Sequence, residues 1–128
     1  MNIRRRALII LSVLAITACS STQPNIQGIW KHSEKPAWID LAFSGRIGSA
    51  QIARHDDNPE AEGQSILEQI VSDSRTPNRW FAKIYSAEEG EFVDATLVLD
   101  EEGELIVRID ISSEDSGEVL RLVRGPSN

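Results

Sequence analysis

The sequence predicts an all-β protein, a small antiparallel up-and-down barrel of about eight strands with room for one short helical turn. Three observations lead there. From residue 26 onward apolar and polar residues alternate at period two over short runs. Glycine-bearing turn sequences separate those runs about every dozen residues. The chain has 128 residues and one cysteine, so a packed core must hold the fold without an internal disulfide.

Taken in order, the first candidate strand covers Ile26 to Lys31. Trp38 to Ser44 follows, with Ile39, Leu41 and Phe43 on one face, and Ser44-Gly45 offers a tight turn into Arg46 to Arg54. In that third run Ile47 and Ile52 have opposite parity, which predicts a bulge or bend near Gly48. Ser65 to Ser72 carries Ile66, Leu67, Ile70 and Val71 at helical spacing, yet Gly63 precedes it and Thr76-Pro77-Asn78 follows. It is read as a strand that can open with a helical turn.

Arg79 to Ser86 places Trp80, Ala82 and Ile84 on one face and Phe81 and Tyr85 on the other. Phe92 to Asp100 turns Val93, Ala95, Leu97 and Leu99 inward. Glu104 to Ser112 does the same with Leu105, Val107, Ile109 and Ile111. Glu118 to Arg124 closes the series with Leu120 and Leu122. The turns Glu88-Glu89-Gly90, Glu101-Glu102-Gly103 and Asp115-Ser116-Gly117 each set glycine where a hairpin needs positive φ. Eight strands suffice for a small barrel that is filled by side chains or holds one small ligand. Trp80, Ile84, Val107 and Ile109 are expected in its core or lining such a cavity.

The N-terminus is built differently. Arg4, Arg5 and Arg6 precede an uncharged, mostly apolar stretch from Ala7 to Ala18. That stretch is shorter than the roughly 20 residues a membrane-spanning helix needs. A basic flank, a short apolar core and small residues before a break form an export signal. Ile16-Thr17-Ala18-Cys19 resembles the bacterial lipobox. That resemblance implies cleavage before Cys19, a diacylglyceryl thioether on its sulfur and acylation of the new amine. Ser20 in the next position implies sorting to the outer membrane, with the domain facing the periplasm. The plain alternative is a secreted protein cut nearby and left with a free thiol. Residues 1–18 are therefore assigned to a lipoprotein signal peptide, 19–27 to the lipidated cysteine and a polar tether, and 28–125 to the barrel domain.

Charge narrows the function further. The whole chain carries a formal charge of −7, from 13 basic and 20 acidic side chains. Loss of residues 1–18 removes three arginines and leaves −10. Such a domain is poorly suited to nucleic acid, and its net charge is repelled by anionic lipid head groups.

Two internal segments resemble known barrels. Gly28-Ile29-Trp30 looks like the G-x-W signature of lipocalin-like barrels, in which the tryptophan plugs one end and an arginine of the last strand covers its indole. The resemblance implies a barrel-closing role for Gly28 and Trp30 together with Arg124, or failing that Arg121. The run from Trp80 to Gly90 resembles the W-x-x-x-I-Y-x-x-x-x-G stretch of small, uncharacterised exported bacterial proteins with lipocalin-like barrels. Ala95-Thr96-Leu97 and Leu105-Ile106-Val107-Arg108 continue the likeness. After Arg108 the chain departs from it, with Ile109-Asp110-Ile111 in place of glycine and an aromatic.

Candidate chemistry is sparse. His55 adjoins Asp56 and Asp57, and His32 stands alone between Lys31 and Ser33. No nucleophile elbow or metal-spaced histidine pair occurs. Asp56, Asn58, Glu60 and Glu62 alternate like calcium-loop oxygens, but Pro59 and the position of Gly63 break the EF-hand form. No metal, no cofactor and no catalytic residue is assigned. Trp38, Phe81 and Tyr85 fall off the inward parity and are the candidate ligand or partner contacts, provided they converge. The sequence thus points to a non-catalytic envelope lipoprotein that binds a small apolar ligand or an envelope component. The alternative is an acidic module, an inhibitor or assembly factor, meeting a basic periplasmic protein across an acidic rim.

Overall fold

The computed structural model describes residues 23–109 and 118–125, with the side chains of residues 118 and 119 left aside. Cys19, the export signal, Ile111 and the Asp115-Ser116-Gly117 turn lie outside the described residues. Within them the chain forms eight strands: β1 Gly28–His32, β2 Ala37–Ser44, β3 Ile47–His55, β4 Ser65–Ser72, β5 Arg79–Ser86, β6 Glu91–Leu99, β7 Leu105–Ile109 and β8 Glu118–Arg124. Each pairs antiparallel with its neighbours in sequence, and β8 returns to β1, so the sheet closes into a barrel.

Alternation decides which side chains enter. Trp30, Leu41, Leu67, Ile70, Leu97, Leu105, Val107 and Leu122 are almost wholly buried, and with Ile39, Trp80 and Ile84 they form one continuous cluster. Three alanines on the inner faces, Ala50, Ala82 and Ala95, offset the bulk of the two indoles. Each large apolar side chain buried this way contributes about 1.5–3 kcal/mol before entropy is counted. Trp80, Ile84 and Val107 are core residues as expected, and Ile109 packs half-buried against them.

The segment with mixed periodicity is explained by one residue. Leu67 pairs with Ile84, and Val71 pairs with Phe81, so four steps along β4 match only three along β5, with a register shift between Glu68 and Val71. The β3 side shifts as well, since Gly48 pairs with Ile70 and Ala50 with Leu67. Gln69, at φ 52°, is the bulged residue. The bulge resets the alternation, so Leu67 and Ile70 both point inward although they are three apart. Helical spacing here is a strand with an inserted residue. The short helix is elsewhere, a 3-10 turn at Pro59–Ala61 in the β3–β4 loop.

The bend expected near Gly48 is located differently from the sequence reading. The ladder is irregular at Gly48 to Gln51, but the extra residues belong to β4. Ile47 simply faces outward, 56% exposed. Gly48 earns its place through packing, because a Cβ there would lie 2.8 Å from the Phe43 ring across β2.

Backbone strain at Gln69 gives a direct check. Gln69→Gly, which tolerates positive φ, is expected to stay within about 0.5 kcal/mol of wild type. Gln69→Val, β-branched and ill suited to that region, is expected to cost about 1–2 kcal/mol. Urea unfolding of the two variants measures the difference; equal stabilities would contradict the bulge.

Candidate functional site

Antiparallel alternation gives the barrel two ends with different contents. At one, here the strap end, lie the start of β1, the 45–46 turn, the loop after β4, the 100–104 turn and the end of β8. At the other, the loop end, lie the 33–36, 56–64 and 87–90 connections.

The strap is the segment 23–27, which the sequence placed in the tether. It is fixed across the strap end by side chains at both of its ends. Gln23 Nε2 donates to the carbonyls of Asp73 at 3.1 Å, Thr76 at 3.1 Å and Arg79 at 3.3 Å, and its Oε1 accepts the Asn78 N–H at 2.7 Å. Gln27 Oε1 accepts the Phe43 N–H at 2.9 Å. Trp30 donates its indole N–H to the Ile26 carbonyl at 2.9 Å, so the buried ring leaves no orphan donor.

Arg124 completes the closure. Its Nη1 and Nη2 donate to the carbonyls of Gln27 and Asn25, both at 2.7 Å, and its guanidinium carbon lies 4.2 Å from the Trp30 ring centroid. Gly28 has φ 124°, and a Cβ there would sit 3.1 Å from Arg124 Nη1. Gly28, Trp30 and Arg124 are therefore one contiguous unit. Arg121 is not part of it: it points to the other face, toward Glu104 at 2.6 Å and Asp100 at 3.8 Å.

Beside the strap opens a groove of about 780 Å³. Ile26, Phe43, Val71 and Trp80 give it a mainly apolar wall, and Arg46, Ser72 and Ser74 stand on its rim. A second hollow of about 470 Å³ shares Ser72 and Ser74 and adds Arg75, Thr76, Arg79 and Phe81. Sequence patterning singled out neither Arg46 nor the serines. A rim residue in a turn carries no periodicity, and Gln23 looked like linker composition.

The three aromatics proposed as a shared contact are spread out. Trp38 lies on the outer face of β2, with Arg54 at 4.8 Å and Lys31 at 5.6 Å from its ring. Phe81 and Tyr85 lie on the outer face of β5, 44% and 48% exposed. Arg79 covers Phe81 at 5.4 Å, and Phe92 meets Tyr85 edge-on at 5.5 Å. Strands β3 and β4 separate Trp38 from the other two, so the three do not converge. Of the three, Phe81 alone lines either of these two hollows.

The acidic turns do not converge either. Glu88 and Glu89 sit at the loop end, whereas Glu101 and Glu102 sit at the strap end, so they form no common rim. The loop end instead gathers Glu34, Asp56, Asp57, Glu60, Glu62, Glu88 and Glu89, all exposed, with the exposed Lys35 beside Glu34 in the 33–36 connection. Asp56 is taken by Arg54 at 2.7 Å. Among the described residues, no three His, Cys, Asp or Glu side chains are placed to share a metal ion.

Both histidines serve loop geometry. His32 Nδ1 accepts the N–H groups of Glu34 and Lys35 at 3.0 and 3.2 Å, and His55 Nδ1 accepts that of Asn58 at 3.1 Å. Burial, and then the nearby Lys35, hold the His32 imidazole below its ordinary value.

No protein-family model, no curated protein and no solved structure matches this chain.

The lowered His32 value has a definite sign. The unfolded chain takes up the proton first, so the His32 contribution is complete above the ordinary value of 6.5 and is lost as pH falls below it toward the folded value. His32→Asn keeps an acceptor for the two N–H groups but cannot titrate. Denaturation at neutral and mildly acidic pH is expected to show a smaller acid loss in this variant than in wild type. Equal losses would contradict the assignment.

Proposed function

We propose that this chain is a lipid-anchored protein of the bacterial outer membrane, facing the periplasm, that binds a small apolar molecule or an envelope component and does not catalyse. The observation that carries the binding reading is the open apolar groove beside the strap, walled by Ile26, Phe43, Val71 and Trp80. Its volume falls in the usual range of small-molecule sites, about 300–1,000 Å³. The inner faces of the barrel are packed with side chains in one cluster, so the groove at the end is the better candidate than the barrel axis. The lipobox-like segment ending at Cys19 supports the anchor. The joined Gly28, Trp30 and Arg124 support the lipocalin-like comparison.

A second reading rests on the loop end, where seven exposed carboxylates gather. In that reading the barrel is a rigid mount for an acidic surface that meets a basic periplasmic protein.

Fatty-acid labelling in cells is expected to mark wild type and leave Cys19→Ser unmarked; a labelled Cys19→Ser protein would remove the anchor. Native mass spectrometry of the protein taken from its own envelope distinguishes the two binding readings. A retained small apolar ligand, lost in Val71→Glu, supports the groove. A co-purifying basic protein with an empty groove supports the acidic module.

A further inference from the structure

The tether is shorter than its sequence. Four hydrogen bonds hold Gln23, the first described residue, against the 73–79 loop. Only residues 20–22 lie between Gln23 and Cys19, a reach of at most about 14 Å even when fully extended. An anchor at Cys19 would therefore keep the strap end within reach of the bilayer, without by itself fixing the tilt of the barrel.

Charge is divided along the same axis. The sector beside Gln23 carries Arg46, Arg75 and Arg79 around the two hollows. Arg79 lies 3.8 Å from the buried Asp73 carboxylate and against Phe81. Arg46 and Arg75 are exposed, and their guanidiniums meet no carboxylate among the described residues. The acidic turn at this end, between β6 and β7, is the next connection round the barrel from the 73–79 loop, on the side away from Arg46. Arg121 faces its Asp100 and Glu104, leaving Glu101 and Glu102. The seven exposed carboxylates of the loop-end connections are at the opposite pole. Net charge repels this domain from an anionic surface, but the sector at the tether is locally basic.

We propose that this sector is a membrane-docking face, in which Arg46 and Arg75 meet the phosphates of anionic head groups and the groove opens at the bilayer surface. The proposal rests on the anchored reading. The lipid supplies residence at the membrane, and the two arginines supply orientation, which a three-residue linker alone does not fix. Guanidiniums suit phosphate because their planar donor pairs match its oxygens. An apolar ligand would then enter the groove directly from the lipid phase.

The test uses the mature lipidated chain in vesicles of phosphatidylcholine with or without phosphatidylglycerol, doped with a lipid spin-labelled at its head group. Amide broadening in NMR spectra reports proximity. In vesicles with phosphatidylglycerol, broadening is expected to be strongest at Gly45, Arg46 and Ser74 to Thr76, and weakest at Glu60, Glu62, Glu88 and Glu89. The double variant Arg46→Glu/Arg75→Glu, altered only at exposed positions, is expected to stay on the vesicles but lose that gradient, as wild type does in neutral vesicles. A uniform or reversed gradient in wild type, or one that survives the double variant, would overturn the docking face while leaving the anchor intact. Failure of wild type to float with the vesicles would overturn the anchor, and the docking face with it.

Discussion

One guanidinium closes this molecule. β1 and β8 meet through three residue pairs, Trp30 with Arg124, Lys31 with Val123 and His32 with Leu122. So short a seam is a weak place for a barrel to close. Arg124 reinforces it by reaching across β1 to two carbonyls of the strap while its guanidinium carbon lies 4.2 Å from the Trp30 ring centroid. Hydrogen bonds from a charged donor contribute roughly 1.5–3 kcal/mol each, and a cation over tryptophan about 0.5–2 kcal/mol. Arg124 is exposed on its outer side, so the lower ends of those ranges apply. The strap then depends on Arg124, the groove depends on the strap for one of its walls, and Gln23 fixes the far end of the same segment.

How much of this was legible in the sequence follows from which signals act locally. Inward alternation in β5, β6 and β7 is a period-two pattern, and the structure places those core residues as the pattern requires. Gly28, Trp30 and Arg124 could be paired only through resemblance, because nothing in the spacing of residues 96 apart shows contact. β4 was ambiguous for a physical reason: the bulge at Gln69 turns a period of two into an apparent period of three, and a bulge leaves no compositional mark when its residue is not glycine. Gln23 was invisible for a related reason. A polar residue that satisfies four backbone groups of a loop looks the same as one in a solvated linker. The outward aromatics Trp38, Phe81 and Tyr85 had the right parity, but parity gives a face and no azimuth around a barrel.

Both ends of the barrel now have a physical character that the overall composition conceals. A chain of −7 reads as uniformly acidic. The fold distributes that charge unevenly, sending the acidic 56–64 and 87–90 loops to one pole and, at the other, setting Arg46, Arg75 and Arg79 apart from the acidic 100–104 turn. Up-and-down topology is the cause, since successive connections alternate between ends and so can be given opposite chemistry. In the proposed anchored reading the division would be useful: the basic, grooved sector of the strap end would face a lipid surface and the loop end would face away from it.

The central claim is that Arg124 holds the strap and, through it, the strap end of the barrel. Native-state hydrogen exchange in Arg124→Leu tests it most directly, read at three donors bonded into the strap: the Trp30 indole N–H, the Phe43 amide and the Asn78 amide. All three are expected to lose protection together, while the paired amides of β5 and β6 keep theirs. Unchanged protection at the three donors would contradict the claim, because the strap would then be held without the arginine.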